Sequence, residues 1–152
     1  MNYWLMKSEP EEFSIDDLKT RPGRIEPWDG VRNYQARNMM RDEMKVGDLA
    51  FFYHSNCNEP GIVGTMKIAS TSYPDPTAFD PEDKHYDPKS KKDTPTWYLV
   101  DVQYKRKFKR TITLAELKTH KSLQKMRLLQ KGNRLSVMPV TKKEWDTILK
   151  LE

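Results

Sequence analysis

The chain has 152 residues, of which 36% are hydrophobic and 32% charged, which suits one folded domain over residues 1–152 and excludes a disordered chain. Its single cysteine, Cys57, excludes an internal disulfide, and three scattered histidines give no metal motif. Without a signal segment or the roughly 20 apolar residues of a membrane span, the sequence predicts a cytoplasmic protein.

Charge is unevenly distributed along the chain. Residues 1–99 carry 13 Lys and Arg against 17 Asp and Glu, whereas residues 100–152 carry 14 against 5. A basic segment of this kind attracts phosphate, although a merely soluble basic protein has the same composition. Its densest part is a run of five cations around Phe108: Lys105, Arg106, Lys107, Lys109 and Arg110. This run is either a solvated strand end or a surface for a phosphate backbone.

The first half of the chain predicts alternating strands and helices. Residues 3–6 are typical of a buried strand, and Ser14 with Asp17 has the spacing of a capping box that begins a short helix. Residues 21–30 contain two prolines and two glycines and indicate a loop. A helix over about 33–44 would place Ala36, Met40 and Met44 on one apolar face.

The second half predicts the remaining strands of an α+β domain with a small β-barrel. The aromatic run 49–54 and the strand 62–69 are expected to pair as an antiparallel hairpin. The long segment 73–96 indicates a loop, which is a common place for function. The later predicted elements are a strand over 97–104, a helix capped by Thr113 and Glu116, a strand over 135–138 ended by Pro139, and a helix capped by Thr141 and Glu144.

Four tryptophans divide into two groups by their sequence context. Trp4 and Trp145 lie on periodic apolar elements, which favours core packing. Trp28 lies in a Pro/Gly turn and Trp97 follows the long loop, which favours ligand binding. Two aromatic faces held apart would sandwich a planar base. Asn33, next to this turn, is expected either to cap its helix or to hydrogen-bond a base edge.

Five sequence motifs closely resemble those of the EVE domain family. They are YWLMKSEP at 3–10, WDGVRNYQARN at 28–38, FYHSN at 52–56, YPDPT at 73–77 and RLSV at 134–137. The resemblance implies a PUA-like mixed β-barrel with short peripheral helices. It also implies binding of DNA or RNA that carries a modified base, such as methylated or hydroxymethylated cytosine. No cofactor or metal is expected, because the sequence has no motif for either.

Carried onto this chain, the resemblance implies an aromatic base-binding pocket. Its candidate residues are Lys7, Ser8, Trp28, Asn33, Tyr34, Arg37, Tyr53, His54, Ser55, Trp97 and Ser136.

A second hypothesis is a base-directed hydrolase of the type found among ASCH relatives. Lys7, Ser8 and Glu9 would then supply a base, a nucleophile and an acid. Because adjacent strand residues point to opposite faces, the three converge only if the chain bends at Pro10. The absence of the common cofactor and nucleophile motifs favours the binding module.

Overall fold

Eight β-strands form a six-stranded sheet and a two-stranded ribbon in the computed structural model, which describes every residue from Met1 to Glu152. The strands are β1 (Tyr3–Ser8), β2 (Ile25–Pro27), β3 (Leu49–His54), β4 (Gly61–Ile68), β5 (Tyr73–Pro74), β6 (Tyr98–Leu99), β7 (Asp101–Thr113) and β8 (Val137–Val140). The sheet has the order β2-β7-β4-β3-β1-β8, and β5 pairs with β6. Only β1 and β3 are parallel neighbours, so the sheet is mixed.

The large sheet curls because its central strands are irregular. Register shifts interrupt the pairing of β3 with β4 and of β4 with β7, and such bulges increase the bend and twist of a strand. At Gly64 a Cβ atom would lie 2.3 Å from both the Arg106 carbonyl oxygen and Ile15 Cδ1, so only glycine permits this close approach. The result is the expected α+β fold with a barrel-like sheet, left open between the edge strands β2 and β8.

Short helices surround the sheet: α1 (Ile15–Thr20), α2 (Tyr34–Asn38, continued by a π-helical turn over Met39–Glu43), α3 (Leu114–Leu117) and α4 (Lys142–Leu149). The predicted capping boxes of α1 and α4 are both confirmed, with Ser14 and Thr141 as N-caps. Thr113 also caps α3, since its side chain accepts from Glu116 N. The Glu116 carboxylate binds Arg110 and not the Thr113 backbone, so the second hydrogen bond of this predicted capping box is missing. None of the helices combines the length and the apolar character of a membrane span.

The core lies between the sheet and these helices, and both tryptophans predicted to pack in it do so. Trp145 is 4% exposed and stacks on Phe51 with ring centres 3.9 Å apart. Trp4 is buried and its indole Nε1 donates to the buried Asp48 carboxylate at 3.1 Å. The apolar face of the 33–44 segment is likewise confirmed, since Ala36, Met40 and Met44 are all buried.

Several sequence expectations about strands were wrong. Ile25–Pro27, within the predicted loop 21–30, forms β2, and the predicted strand over 97–104 is divided between β6 and β7. Pro139 does not end β8 but pairs with Trp4 inside it, which is possible because β8 is an edge strand and needs no outward N–H donor. Segment 105–110 does not follow a strand but forms the middle of β7. Backbone pairing with β4 therefore fixes where the basic run lies.

Candidate functional site

A cavity of about 480 Å³ opens at one edge of the sheet. Because β1 and β3 are parallel, Ser8 lies beside His54, and the segments that follow both strands meet at this edge. Residues 26–32, which begin in β2, also line the cavity, together with Lys84 and His85 from the long loop and residues 134–136 before β8. Five of the residues implied by the family resemblance line it: Lys7, Ser8, Trp28, Ser55 and Ser136.

Lys7 is the most unusual group in this wall. Its ammonium is half buried, lies 5.8 Å from the Tyr53 ring centre, and has neither an ion pair nor a hydrogen-bond partner in the protein. Burial lowers the pKa of Lys7 below its ordinary value. A partly desolvated cation without a partner is unfavourable for folding and is typical of a binding site.

Serine hydroxyls give the cavity free hydrogen-bonding groups. The Ser8 hydroxyl donates to the Phe13 carbonyl oxygen at 2.6 Å and stabilises the turn after β1. The side chains of Ser55 and Ser136 make no hydrogen bond within the protein, while their backbones tie the wall together: Ser55 N donates to Ser8 O at 3.0 Å and Lys7 N donates to Ser136 O at 2.8 Å. Both hydroxyls are therefore available to a ligand.

Charged side chains surround the mouth of the cavity, and most are paired. The ion pairs are Arg21 with Glu26, Lys84 with Glu12, and Arg32 with the buried Asp75. Arg134 is exposed and makes no ion pair. Asp29 is an exposed residue, but its carboxyl group is partly desolvated, and this raises its pKa. The negative charge of Asp75 raises it further. Besides Lys7, the mouth thus offers one free cation and one carboxylate of raised pKa.

Trp28 forms the aromatic wall of the cavity, but it also packs in the core. Its residue is only 6% exposed. Its ring meets Phe52 edge-to-face at 5.3 Å and Phe13 at 6.3 Å. Its loop position favours ligand binding over packing, whereas in the structure the ring both lines the cavity and packs in the core. Removing this ring would therefore affect the fold as well as the cavity.

Trp97 does not line the cavity, so the two loop tryptophans do not form the sandwich that the sequence had suggested. Its indole Nε1 donates to the Asp87 carboxylate at 2.7 Å. Its ring stacks on Tyr34 with ring centres 5.0 Å apart and planes inclined by 26°. These contacts hold Trp97 beside α2, together with Arg37, whose guanidinium lies 6.0 Å from the Trp97 ring centre.

Three other implied pocket residues lie outside the cavity wall. Asn33 caps α2, because its Oδ1 accepts from Ala36 N at 2.9 Å. His54 Nε2 accepts from Ile15 N at 3.2 Å, and burial lowers its pKa. Tyr53 is buried in β3, and burial raises its pKa to about 12. These side chains support the elements around the cavity.

The basic run on β7 is partly neutralised within the protein. Arg106 pairs with Glu152, Lys107 with Asp16, and Arg110 with Glu116. Lys105 and Lys109 are exposed and their ammonium groups have no carboxylate partner. Of the five cations in this run, these two are the ones free to meet phosphate.

Lys7, Ser8 and Glu9 all line the cavity, as the hydrolase hypothesis requires. The Ser8 hydroxyl, however, donates to a carbonyl oxygen and Glu9 accepts from the Asn56 amide. An activated nucleophile needs a hydrogen bond to its base. Ser8 and Lys7 make no such bond in this structure.

Asp75 is a site residue that reasoning from residue chemistry missed. It is fully buried and accepts from Gly30 N at 2.8 Å, Thr77 Oγ1 at 2.6 Å and Arg32 at 3.0 Å. Burial raises its pKa, but these hydrogen bonds outweigh that effect and lower it overall. Gly30 itself has φ +81°, and a Cβ there would meet the His85 ring at 2.6 Å. The 73–77 motif was the only sequence signal for this anchor of the cavity loop.

Comparison with known proteins gives consistent matches over the whole chain. The EVE domain family model matches residues 2–151. Mouse thymocyte nuclear protein 1 is 55% identical over 99% of this chain and 74% of its own length. A solved protein from Pseudomonas syringae is 53% identical with a TM-score of 0.93, covering 98% of both chains.

Two further solved structures bear on the choice between hypotheses. Human THYN1, solved in complex with DNA containing 5-methylcytosine, is 52% identical with a TM-score of 0.94, covering 99% of this chain and 97% of its own. An ASCH protein from Zymomonas mobilis has a TM-score of 0.54 at 12% identity, covering 99% of this chain and 95% of its own. The second likeness is one of fold alone.

Proposed function

Because this chain belongs to the EVE domain family, we propose that it binds DNA carrying a modified cytosine and holds that base in the cavity beside Lys7 and Trp28. The unpaired, half-buried ammonium of Lys7 at the wall is the observation that carries the proposal. A cation in this position costs stability unless a ligand uses it. The human relative solved with 5-methylcytosine DNA, 52% identical to this chain, supports the same ligand class.

The cavity has the size and chemistry that a cytosine requires. Its volume of about 480 Å³ lies within the range of roughly 300–1,000 Å³ of small-molecule sites. A cytosine edge presents one amino donor together with a carbonyl and a ring nitrogen as acceptors. Lys7 and the free hydroxyls of Ser55 and Ser136 can donate to the acceptors, and the Asp29 carboxylate can accept from the amino group. A methyl group on the base would add apolar contact with the aromatic wall.

The DNA backbone is expected to meet the basic C-terminal part of the chain. Within the β7 run, Lys105 and Lys109 contribute first, because their ammonium groups are unpaired. The other three cations each have to give up an internal carboxylate partner before they bind phosphate, which reduces the free energy gained from each phosphate contact. They are Arg106, Lys107 and Arg110.

Titration with matched DNA strands tests the proposal. Three labelled strands of one sequence, carrying a single cytosine, 5-methylcytosine or 5-hydroxymethylcytosine, are titrated at fixed salt. At least one modified strand should bind several-fold more tightly than the unmodified strand, and the free modified nucleoside should compete with it. Equal affinity for all three strands would overturn the proposal.

Mass analysis of the recovered nucleoside tests the hydrolase alternative in the same samples. The binding proposal predicts that the modified base is recovered unchanged after prolonged incubation. Release of an acyl or amino group from acylated or methylated nucleosides, lost in a Ser8→Ala variant, would instead establish catalysis.

A further inference from the structure

The most exposed aromatic side chain of the protein lies outside the cavity. Tyr34 is 62% exposed, although it begins a helix whose apolar face is buried. A single exposed aromatic residue is ordinary at a protein surface, so the contacts around Tyr34, and not its exposure alone, carry the argument. One of its ring faces stacks on Trp97, and most of the remaining residue is open to solvent.

Contacts within the protein hold the stack in place. Trp97 is 6% exposed and is tied to Asp87 through its indole Nε1. Arg37 lies 5.0 Å from the Tyr34 ring centre, and it donates to the Thr96 carbonyl oxygen at 2.8 Å. A ring held in this way loses little conformational freedom when a second planar group stacks on it.

Arg37 brings a positive charge to the same place. Its hydrogen bonds go to the Thr96 carbonyl and the Asn38 amide oxygen, both neutral acceptors. It therefore makes no ion pair, in contrast to Arg106 and Arg110 on β7. An aromatic face beside a guanidinium that has no carboxylate partner suits a nucleotide, which combines a planar base with an anionic phosphate.

Arg32 connects this stack to the cavity. Its side chain lines the cavity and its guanidinium lies 5.4 Å from the Trp97 ring centre. Hydrogen bonds to Asp75 and to the His85 carbonyl oxygen fix it there. Arg32 therefore borders both the cavity and Trp97, the inner ring of the stack.

We propose that Tyr34 and Arg37 form a second nucleotide site, which takes an unpaired base next to the modified base on the same DNA strand. Tyr34 stacks on that neighbouring base and Arg37 contacts the phosphate beside it. This inference rests on the proposed function, because it places the modified base in the cavity. It predicts a preference for DNA in which at least two adjacent bases are unpaired, since a base inside a duplex cannot stack on Tyr34.

Binding by Tyr34 variants to three probes tests the second site. The probes are 5-methyl-2′-deoxycytidine alone, a single-stranded DNA octamer with 5-methylcytosine, and the same octamer with cytosine. Tyr34→Ala should weaken both octamers by the same factor, about tenfold from a lost base stack, and leave nucleoside binding unchanged. Tyr34→Phe should keep parental affinity, because the stacking face remains. Arg37→Gln should reduce the slope of log affinity against log salt by about one.

Tyr86→Ala is the matched control, since Tyr86 is 41% exposed but stacks on no other ring. It should bind all three probes as the parent does. Two results would overturn the second site. One is unchanged octamer binding by Tyr34→Ala, and the other is an equal loss of octamer binding in Tyr86→Ala. Failure of the proposed function gives a different result: both octamers then bind the parent equally, whereas Tyr34→Ala still weakens them if the second site exists.

Discussion

Replacing Lys7 by Met should weaken ligand binding without destabilising the fold. Methionine keeps much of the length of the side chain and removes only the charge. In the free protein the ammonium is half buried, lies near the Tyr53 ring and has no ion-pair or hydrogen-bond partner, and burial lowers its pKa. Loss of the charge therefore removes a desolvation cost and breaks no internal hydrogen bond.

The magnitude of the binding loss follows from the contact that Lys7 would make with the base. A hydrogen bond from a charged donor contributes about 1.5–3 kcal/mol, so the octamer carrying the modified base should bind Lys7→Met roughly 10- to 150-fold more weakly. The melting temperature should stay the same or rise. Ser136→Ala is a milder companion variant, since it removes one neutral donor and should cost about 1 kcal/mol of binding.

The pH dependence of stability gives an independent check on Lys7. Since its pKa in the folded protein lies below the ordinary 10.5, the unfolded chain holds more protons between these two values. Stability contributed by this group therefore rises with pH in that window. The difference in unfolding free energy between Lys7→Met and the parent should shrink as pH rises toward 10.5. A variant that binds as the parent does but melts at a lower temperature would refute a ligand-binding role for Lys7.

Three further variants test other parts of the structure. Trp28→Ala should lower the free energy of unfolding by about 3–5 kcal/mol because the ring packs between two phenylalanines; loss of binding with an unchanged melt would contradict that packing. Burial lowers the His54 pKa, and protonation ends the bond in which its ring nitrogen accepts, so the parent should lose stability as pH falls below 6.5. His54→Gln should not show this loss. Parallel profiles of stability against pH for the two proteins would refute this. Replacing Lys105 and Lys109 together by Gln should flatten the salt dependence of DNA binding more than replacing the paired Arg106 and Arg110, and an equal effect would show that the ion pairs are irrelevant.

The fold was predictable wherever a local pattern determines the structure. Capping residues at Ser14 and Thr141 began helices as expected, because the cap and its partner are three residues apart. The apolar periodicity of the last helix predicts that Trp145 is a core residue, and Trp145 is buried. Asn33 has two interpretations, and the local one, the helix cap, is present in the structure.

The site was less predictable because it depends on contacts between distant segments. Trp97 contacts Asp87 and Tyr34 and does not line the cavity. No local sequence pattern around Trp97 predicts either contact. The basic run on β7 looked uniform, yet Glu152 at the far end of the chain neutralises Arg106. Lys7 could be included only through the family resemblance, since its lack of a partner is visible only once the fold is known.

The position of the base is the most direct test of the account. A crystal structure of the protein with a short single-stranded DNA carrying 5-methylcytosine should show that base in the cavity, against Trp28 and within hydrogen-bond distance of Lys7 Nζ. A neighbouring base should stack on Tyr34. A methylated base that stacks outside, with the cavity left empty, would contradict the central claim.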